Sequence, residues 1–439
     1  MNDSHRTYAA SMRSEGKEKH TMELVFSRKT MAEALKMAGR AAGRSSGLPV
    51  LSNVLIVTHD PLWGMWDNSQ NNGDNIYLAA TDLEIGVRMR IPGQVVQQGA
   101  ITLPVKTFAS FINALSEDDV KLASTNGKAK IRSEKGEFSI TGASADQFPS
   151  LIGEAAMDSQ LELTGQPKDE KETHFFSLAS GALKWMVQKV SFAASRDDGR
   201  HYLNGVHFSL SSVEDKTLLR MAATDGTRLA VASMAIEEPL KKDLGAPSTR
   251  EEKEVEAIIP NKAVKELEKM AVSVDAVKIG LQDNRMVFDA GDTALVTRLV
   301  EGEYPDYQQV IREKSVINLK ADTGDLITVI RRISQVSNPK LPCVKLEIAG
   351  NRMKISADNP YLGDGCEEMD VEKAGDDVGI AVNVRYLMDA LRAIDTQETL
   401  IDIDSELKPV VIKPSFRSDQ GQASGKHLCV LMPVRLAVG

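Results

Sequence analysis

The chain has 439 residues, 42% of them hydrophobic and 26% charged, and its formal net charge is −9. A single hydrophobic core stops growing beyond about 250–300 residues, so this length predicts about three domains, and the ordinary composition excludes collagen-like, low-complexity and coiled-coil chains. The acidic balance counts against a nucleic-acid partner unless basic residues are concentrated on one face, because Lys and Arg must neutralise the phosphates.

Residues 1–21 are polar and charged without an apolar run. This is not the pattern of a secretory signal, and we predict that they form a disordered N-terminal extension. No segment approaches the roughly 18 uninterrupted apolar residues of a membrane helix, so we expect a soluble, cytoplasmic protein with no membrane partner. Cys343, Cys366 and Cys429 lie far apart in the sequence, a spacing typical of reduced structural thiols rather than of a metal site.

The first predicted domain covers residues 22–152. It opens with a helix-period segment at 27–44 and continues through an apolar strand that ends in AATD at 79–82. A second helix is predicted in ITLPVKTFASFINAL, where Phe108 and Ile112 recur on one face. The segment KAKIRSEKGEFSITG then alternates as a β-hairpin does.

The same order of elements recurs twice more. The second predicted domain, 170–311, has the opening helix SLASGALKWMVQKVSFAAS, a strand with AATD at 222–225 and the helix AIIPNKAVKELEKM. The third, 315–439, has ADTGDLITVIRRISQVS, a strand that contains ISADN, and IAVNVRYLMDALRAI. A repeat of helix, strands, helix and strands predicts three similar domains rather than one large core.

Basic residues are concentrated on the helices that open the first and second domains. The first helix, 27–44, carries five basic residues against a single acid, Glu33. A solvated helix face would explain one such helix, but the bias recurs in the second domain and weakly in the third, which favours a surface for phosphate groups. The residues are Arg28, Lys29, Lys36, Arg40 and Arg44 in the first domain and Lys184, Lys189, Arg196 and Arg200 in the second.

Three acids, Asp82, Asp225 and Asp358, occupy equivalent places in the three repeats. An acid at the end of a strand commonly accepts backbone N–H bonds and closes a turn, and we favour this role over metal binding. A metal-dependent nuclease that uses these acids is the enzymatic alternative. The sequence has no phosphate-binding loop, nucleophile elbow or HExxH motif, so we predict a binding protein without catalytic residues, metal or cofactor.

The C-terminal segment LCVLMPVRL is apolar and interrupted by proline. Such a segment is either a last core strand or the wall of an exposed apolar groove, and the two roles are compatible. A groove of this kind suits a short peptide with apolar anchors, which is a common mode of partner capture.

Ten short segments, in chain order from about Met22 to Leu436, resemble the bacterial sliding clamp family, the beta subunits of DNA polymerase III. The order of the motifs over three repeats makes the resemblance specific, although each motif alone is weak. The segments are LPVLSNVLI, AATDLEIGV, ITLPVK, FSITGASADQFPSL, RHYLNGVHF, AATDGTRLAV, IIPNK, LVEGEYPDY, AVNVRYLMDAL and LMPVRL.

The resemblance implies an α+β fold of three repeated clamp domains, each with two helices packed on antiparallel sheets. Two chains are expected to close head to tail, as a homodimer, into a six-domain ring around duplex DNA, which they hold without reading its sequence. Such a protein is a non-catalytic processivity factor. Its implied partners are the DNA polymerase III alpha subunit, the clamp loader delta subunit and other proteins that carry a clamp-binding motif.

The resemblance also carries site residues over to matching positions. A groove between the second and third domains is expected to bind peptides. Residues on or beside the opening helices are expected to contact DNA. Tyr202 is either one of these DNA contacts or a packed aromatic residue. At the subunit joint the matching residues are Phe138 and Val336. The peptide-binding residues are Leu203, Thr224, Gly226, Thr227, Arg228, Leu229, Pro305, Val310, Asn383, Tyr386, Leu407, Pro409, Met432, Pro433, Val434, Arg435 and Leu436, and the DNA-binding residues are Arg44, Lys189, Arg196, Arg200 and Tyr202.

Three positions depart from the family pattern. Thr227 stands where the family often has His, Gln309 where a basic residue is common, and Val434 where Met is frequent. These changes imply a different groove shape and less positive charge at its rim. They motivate an alternative function, a specialised second clamp with altered groove specificity.

Overall fold

A computed structural model describes most of the chain between Met22 and Arg435. The extension predicted for 1–21, Arg44 and Leu436 lie outside the described residues. Within the described part, no helix is both long and apolar enough to cross a membrane. The described ranges are 22–43, 47–58, 75–116, 118–133, 136–149, 174–197, 199–213, 216–236, 255–271, 274–282, 284–311, 315–415 and 425–435.

Six α-helices in the described ranges confirm the six helical segments predicted from the spacing of apolar residues. Each buries a single stripe; the first, for example, buries Met31, Leu35 and Ala38, which are four and three residues apart. The helices are α1 (Arg28–Ala41), α2 (Val105–Ala114), α3 (Ser180–Val190), α4 (Asn261–Met270), α5 (Thr323–Ile333) and α6 (Val384–Arg392).

The strands confirm the antiparallel sheets, and β7 and β8 form the predicted hairpin. The strands are β1 (Met22–Ser27), β2 (Asn53–Val57), β3 (Asn75–Thr81), β4 (Ile85–Gln97), β5 (Ala100–Pro104), β6 (Asp119–Thr125), β7 (Lys128–Ser133), β8 (Gly136–Thr141), β9 (His174–Ala179), β10 (Gly205–Val213), β11 (Lys216–Thr224), β12 (Arg228–Ile236), β13 (Val255–Pro260), β14 (Ala276–Gln282), β15 (Arg285–Asp289), β16 (Thr293–Arg298), β17 (Ile317–Asp322), β18 (Cys343–Ala349), β19 (Arg352–Asn359), β20 (Gly363–Asp370), β21 (Glu372–Ala374), β22 (Val378–Asn383), β23 (Glu398–Ile403), β24 (Val410–Pro414) and β25 (Gly425–Leu431).

The chain forms two compact units, Met1–Asp169 with Val287–Thr297, and Glu170–Met286 with Arg298–Gly439. In the first unit the strand order is β8-β7-β6-β1-β4-β16, and β2 pairs with β3 and β5. Helix α1 packs on α2 and on β4. The second unit contains the second and third predicted domains together, so the boundary expected at 311–315 stays a prediction.

In the second unit a nine-stranded sheet has the order β13-β10-β11-β12-β25-β24-β23-β17-β21, and a four-stranded sheet has the order β20-β19-β18-β22. Helix α3 packs on β11, β12 and α4, and α5 packs on α6. The pairing of β12 with β25 places the strand after the second AATD beside the C-terminal strand, with Leu229 opposite Val430.

The two AATD segments fold into the same turn, which confirms the turn-forming role predicted for their acids. In the first, Asp82 Oδ1 accepts hydrogen bonds from the backbone N–H groups of Glu84 at 3.0 Å and Ile85 at 2.9 Å. In the second, Asp225 Oδ1 accepts them from Thr227 at 2.9 Å and Arg228 at 3.0 Å. Each acid therefore satisfies two backbone donors where its strand ends.

The residue after each acid lies in the left-handed region of backbone space. This residue is Leu83, with φ 79°, in the first turn and Gly226, with φ 89°, in the second. The third repeat differs, because Asn359 rather than Asp358 accepts the turn bond, from the N–H of Tyr361 at 3.0 Å. The equivalence predicted for Asp358 is therefore wrong by one residue, since Asp358 pairs with Asp364 across β19 and β20.

Candidate functional site

The predicted peptide-binding residues that the structure describes lie in the second unit, and one row of them lies on a face of its nine-stranded sheet. Across β11, β12 and β25, Thr224 is opposite Leu229 and Leu229 is opposite Val430. Paired residues of neighbouring strands share a face, so these side chains form one row. An apolar cluster continues this face; its buried members are Ala222, Leu229, Val231, Tyr307, Val411 and Val430.

Arg228 lies next to this row, and its side chain is only 12% exposed. Its Nε donates to Asp225 Oδ2 at 3.0 Å, Nη1 to Asp389 Oδ2 at 2.8 Å and Nη2 to the carbonyl of Phe192 at 2.6 Å. The guanidinium also stacks on the ring of Tyr386, 4.2 Å from its centroid. Arg228 thus joins the AATD turn to α6 and positions the Tyr386 ring.

The C-terminal segment after β25 is tied to two other elements. The N–H of Met432 donates to the carbonyl of Thr227 at 2.9 Å, and the N–H of Val434 donates to the carbonyl of Ala381 at 2.7 Å. Pro433, between them, has no N–H to satisfy. The backbone is therefore held on both sides of the proline, while the Met432 side chain stays 44% exposed.

Three of the predicted groove residues support the structure around the site. Leu203 is 3% exposed and Leu229 is 4% exposed, so both are buried, and Leu229 belongs to the apolar cluster. Asn383 caps α6, because its Oδ1 accepts from the N–H groups of Arg385 and Tyr386 at 2.9 Å and 3.3 Å.

Other predicted groove residues present surface to solvent. Val310, Leu407 and Met432 are exposed apolar side chains, and Leu407 is 62% exposed. Leu407, Val434 and Arg435 line a cavity of about 910 Å³. Exposed apolar side chains around a concave surface are typical of an interaction site. Gly226, Thr227 and Pro305 are exposed and Pro409 is half-buried.

The three departures from the family pattern have local partners. Thr227 Oγ1 donates to Asp225 Oδ1 at 2.7 Å, so this hydroxyl completes the AATD turn. Gln309 Nε2 donates to Asp306 Oδ2 at 2.9 Å on an exposed segment. Val434 makes the backbone bond to β22 described above, which does not depend on its side chain.

The sequence reasoning missed Tyr304 and Tyr307, which cover this sheet face. Tyr307 is buried in the apolar cluster, and the Tyr304 hydroxyl accepts from the N–H of Thr224 at 3.0 Å. Burial raises the pKa of Tyr304, so it stays a neutral phenol. The two residues lie in an irregular segment without helical or strand periodicity; the motif EGEYPDY was the only signal for them.

The predicted DNA-binding residues have different environments. Arg196 and Arg200 are exposed after α3, and Arg200 Nη2 donates to the carbonyl of Asp225 at 3.0 Å. Tyr202 is half-buried. Desolvation lowers the pKa of Lys265, and the positive charges of Arg196 and Lys269 lower it further, so basic residues of α4 lie close to Arg196.

Lys189 differs from the other predicted DNA contacts, because it is only 5% exposed. Its ammonium pairs with Asp395 Oδ2 at 2.5 Å and donates to the carbonyl of Ala393. A buried ammonium with these partners is not available to a phosphate. The geometry therefore counts against the predicted DNA contact of Lys189 and gives it a structural role between α3 and the end of α6.

The residues predicted for the subunit joint lie at sheet ends. Phe138 is 41% exposed on β8, the last strand in the order of the first unit, and packs against Phe111 in a tilted arrangement with ring centroids 5.4 Å apart. Val336 is half-buried beside β20, the last strand of the four-stranded sheet.

Two buried titratable groups near the site, His427 and Cys429, are neutral near pH 7. Desolvation, together with the positive charge of Lys189, lowers the pKa of His427 to about 4, and burial raises the pKa of the Cys429 thiol to about 12. In the described part of the chain, no three His, Cys, Asp or Glu side chains are grouped so that they could hold a metal ion.

Family models of the DNA polymerase III beta subunit match three successive parts of the chain. The N-terminal domain model matches residues 22–152, the central domain model residues 177–306 and the C-terminal domain model residues 308–424. The chain is 30% identical over 441 residues to the beta sliding clamp of Synechocystis sp., covering 94% of this chain and 100% of that relative. It is 28% identical over 418 residues to that of Salmonella typhimurium, with coverage of 94% and 100%.

Solved structures agree with these relatives. A sliding clamp of Bartonella birtlesii bound to griselimycin is 27% identical, with a TM-score of 0.78 and coverage of 95% of this chain and 100% of that chain. The DNA polymerase III beta subunit of Pseudomonas aeruginosa is 25% identical, with a TM-score of 0.75 and coverage of 94% and 100%.

Proposed function

This chain belongs to the family of the DNA polymerase III beta subunit, and we propose that it encircles duplex DNA as a homodimer and binds replication proteins through the face built on β12 and β25. It is a DNA sliding clamp with three clamp domains, an accessory subunit rather than an enzyme. None of the relatives supports the two alternatives, a specialised second clamp or a metal-dependent nuclease.

One observation carries the peptide-binding proposal. The row Thr224, Leu229 and Val430 forms a largely buried floor, and the tethered C-terminal segment presents exposed Met432 beside the turn at Thr227. A rigid apolar floor with exposed anchors at its rim suits an extended peptide with apolar side chains. The proposed contacts are those at the exposed rim, with Leu203, Arg228 and Asn383 as supporting residues.

For DNA we propose contacts by Arg196, Arg200 and Tyr202, by Arg44 from the sequence match, and by Lys265, but not by Lys189. These side chains would neutralise phosphates without reading bases, which lets the duplex slide. The overall charge of −9 does not oppose this, because the cations Arg196, Lys265 and Lys269 lie close together. Because the family acts on bacterial DNA during replication, we propose that the protein lies in the cytoplasm.

For the dimer we propose that β8 of one subunit pairs with β20 of the other. Each strand ends the order of its sheet in the described part of the chain, and an unpaired edge is a template for another strand. The strand next to β8, β7, carries Lys128, Lys130 and Arg132, and β20 carries Asp364, Glu367, Glu368 and Asp370. Within one subunit, Lys130 and Arg132 pair with Glu137 of β8, while Glu367 and Glu368 pair with Arg332 and Arg352, so charge supports the pairing only weakly. Head-to-tail pairing of this kind closes a ring when the rotation is right.

The proposed partners of the peptide face are the DNA polymerase III alpha subunit, the clamp loader delta subunit and other clamp-motif proteins. The test uses a fluorescent peptide from the C-terminal region of the organism's alpha subunit, titrated with the purified clamp. Met432→Ala with Leu407→Ala should weaken binding at least tenfold by removing apolar contacts. A matched pair, Leu362→Ala with Val96→Ala, removes exposed apolar residues away from this face and should leave binding unchanged. Equal binding by all three proteins would contradict the proposed face.

A further inference from the structure

The sheet face that carries the proposed peptide site continues beyond it into a second, basic row. Two residues along each strand from the row of Leu229, Val231 is opposite Ala222 and Leu428. Two residues further, Ser233 is opposite Arg220 on β11 and Lys426 on β25. The face therefore passes from an apolar row through a second apolar row to a row with two cations.

A cavity of about 330 Å³ lies on this part of the face. Its walls are Val231, Tyr307, Ile311 and Leu428, and Arg220 and Lys426 lie at its polar end. All four of these apolar wall residues also pack in or against the cluster that contains Leu229. The cavity is thus continuous with the floor of the proposed peptide site.

The two cations have no acidic partner among the described residues. Arg220 is half-buried and Lys426 is exposed, neither forms an ion pair with a described side chain, and no acid is among the residues that line the cavity. The two cations lie on either side of Ser233, on the strands that flank β12, and a carboxylate placed between them would accept charge-assisted hydrogen bonds from both. The cavity is therefore electrostatically complementary to an acidic side chain.

The distance between the rows fixes where that acid lies in a bound peptide. Leu229 and Ser233 are four residues apart on one strand, which corresponds to about 13 Å at about 3.3 Å per residue. An extended peptide covers the same distance in about four residues. We propose that the cavity is a subsite for a Glu or Asp side chain that lies about four residues from the apolar anchor seated on Leu229 and Val430. This subsite rests on the proposed peptide-binding function.

The test uses three synthetic fluorescein-labelled peptides with the same apolar anchor sequence, taken from the organism's polymerase alpha subunit. One carries Ser at four residues before and four residues after the anchor, and the other two carry a single Glu at one of these positions. Binding is measured by fluorescence anisotropy at low and high salt. One of the two Glu peptides should bind about three- to tenfold more tightly than the Ser peptide at low salt, because its carboxylate would lie between two partly exposed cations. The difference in affinity should be smaller at high salt, because salt screens the attraction between these charges.

The variants assign this gain to the cavity. Arg220→Ala with Lys426→Ala should abolish the preference for Glu and leave the affinity for the Ser peptide unchanged. Lys216→Ala with Lys278→Ala removes two exposed charges that do not line the cavity and should keep the preference. Arg220→Gln with Lys426→Gln, which keeps more of the side-chain volume than alanine does, replaces the Ala pair if that variant has lost its native circular dichroism spectrum.

The outcomes separate the subsite from the function on which it rests. Binding of the Ser peptide without any preference for Glu would overturn the subsite and leave the peptide face intact. Failure of every peptide to bind would overturn both. If the cavity bound a phosphate of DNA instead, the Arg220 and Lys426 variants would lower DNA retention and not the peptide preference, which would also overturn the subsite.

Discussion

Replacing Arg228 by alanine should destabilise the second unit and weaken peptide binding together. The substitution removes donors to Asp225, Asp389 and the Phe192 carbonyl and the cation beneath the Tyr386 ring. Removing one partner of a buried ion pair costs about 3–5 kcal/mol, and the freed Asp389, 35% exposed, recovers part of this by hydration. A carbonyl left without its donor adds about 1 kcal/mol. We expect the free energy of unfolding to fall by about 3 kcal/mol.

The assay is urea unfolding followed by the fluorescence of Trp185, which lies in the same unit, in a background that carries Trp63→Phe and Trp66→Phe. Arg392→Ala, an exposed arginine at the end of α6, is the matched control and should change the free energy of unfolding by less than about 0.5 kcal/mol. Arg228→Lys should fall between the two, since the single nitrogen of an ammonium cannot reach the three acceptors that three guanidinium nitrogens contact. If Arg228→Ala unfolds at the control's urea midpoint with the same slope, the reasoning about this network is wrong.

Three further predictions address the turn, the buried histidine and the subunit joint. Gly226→Ala should lower the free energy of unfolding by about 1–2 kcal/mol in the same assay. The backbone φ is 89° at this position, and a Cβ would lie 2.7 Å from Arg200 Nη1. An unchanged free energy of unfolding would contradict the argument that this turn requires glycine. The pKa of His427 is lowered from 6.5 to about 4 in the folded chain, so the unfolded chain binds a proton first as pH falls. The free energy of unfolding should therefore fall by about 3 kcal/mol between pH 6.5 and pH 4. Urea titrations of His427→Gln should lack this fall, and a pH profile identical to that of the unmodified protein would refute the prediction. Phe138→Asp should make the protein sediment as a monomer and leave peptide binding unchanged, because the substitution places a charge on an exposed edge strand. A variant that still sediments as a dimer would show that β8 is not part of the subunit interface.

The sequence predicted the elements well because their signals are local. The six helices follow from apolar residues three and four apart, such as Met31, Leu35 and Ala38, and the turns follow from an acid placed after an apolar strand. The residue that closes the third turn was not predicted correctly, because Asp358 and Asn359 are adjacent and either residue type can close a turn. Only the strand register shows that Asn359 is the one that does.

The environment of side chains could not be predicted in the same way. Lys189 has the sequence context of a basic helix face, yet the fold places it against Asp395 and the end of α6, more than two hundred residues away in the chain. The sequence likewise predicts Arg228 as a contact in the groove, although its side chain is buried among its hydrogen-bond and ion-pair partners. The row Arg220, Ser233 and Lys426 exists only through strand pairing, since no local pattern links β11, β12 and β25.

The most direct test of the central claim is retention on DNA of different topology. The clamp is loaded by its clamp loader onto nicked circular plasmid, separated from free protein by gel filtration, and then treated with an enzyme that cuts the plasmid once. A closed ring should stay with circular DNA and be released when the DNA is made linear, and the Phe138→Asp variant should not be retained on either form. Equal retention of the unmodified clamp on circular and linear DNA would contradict the account.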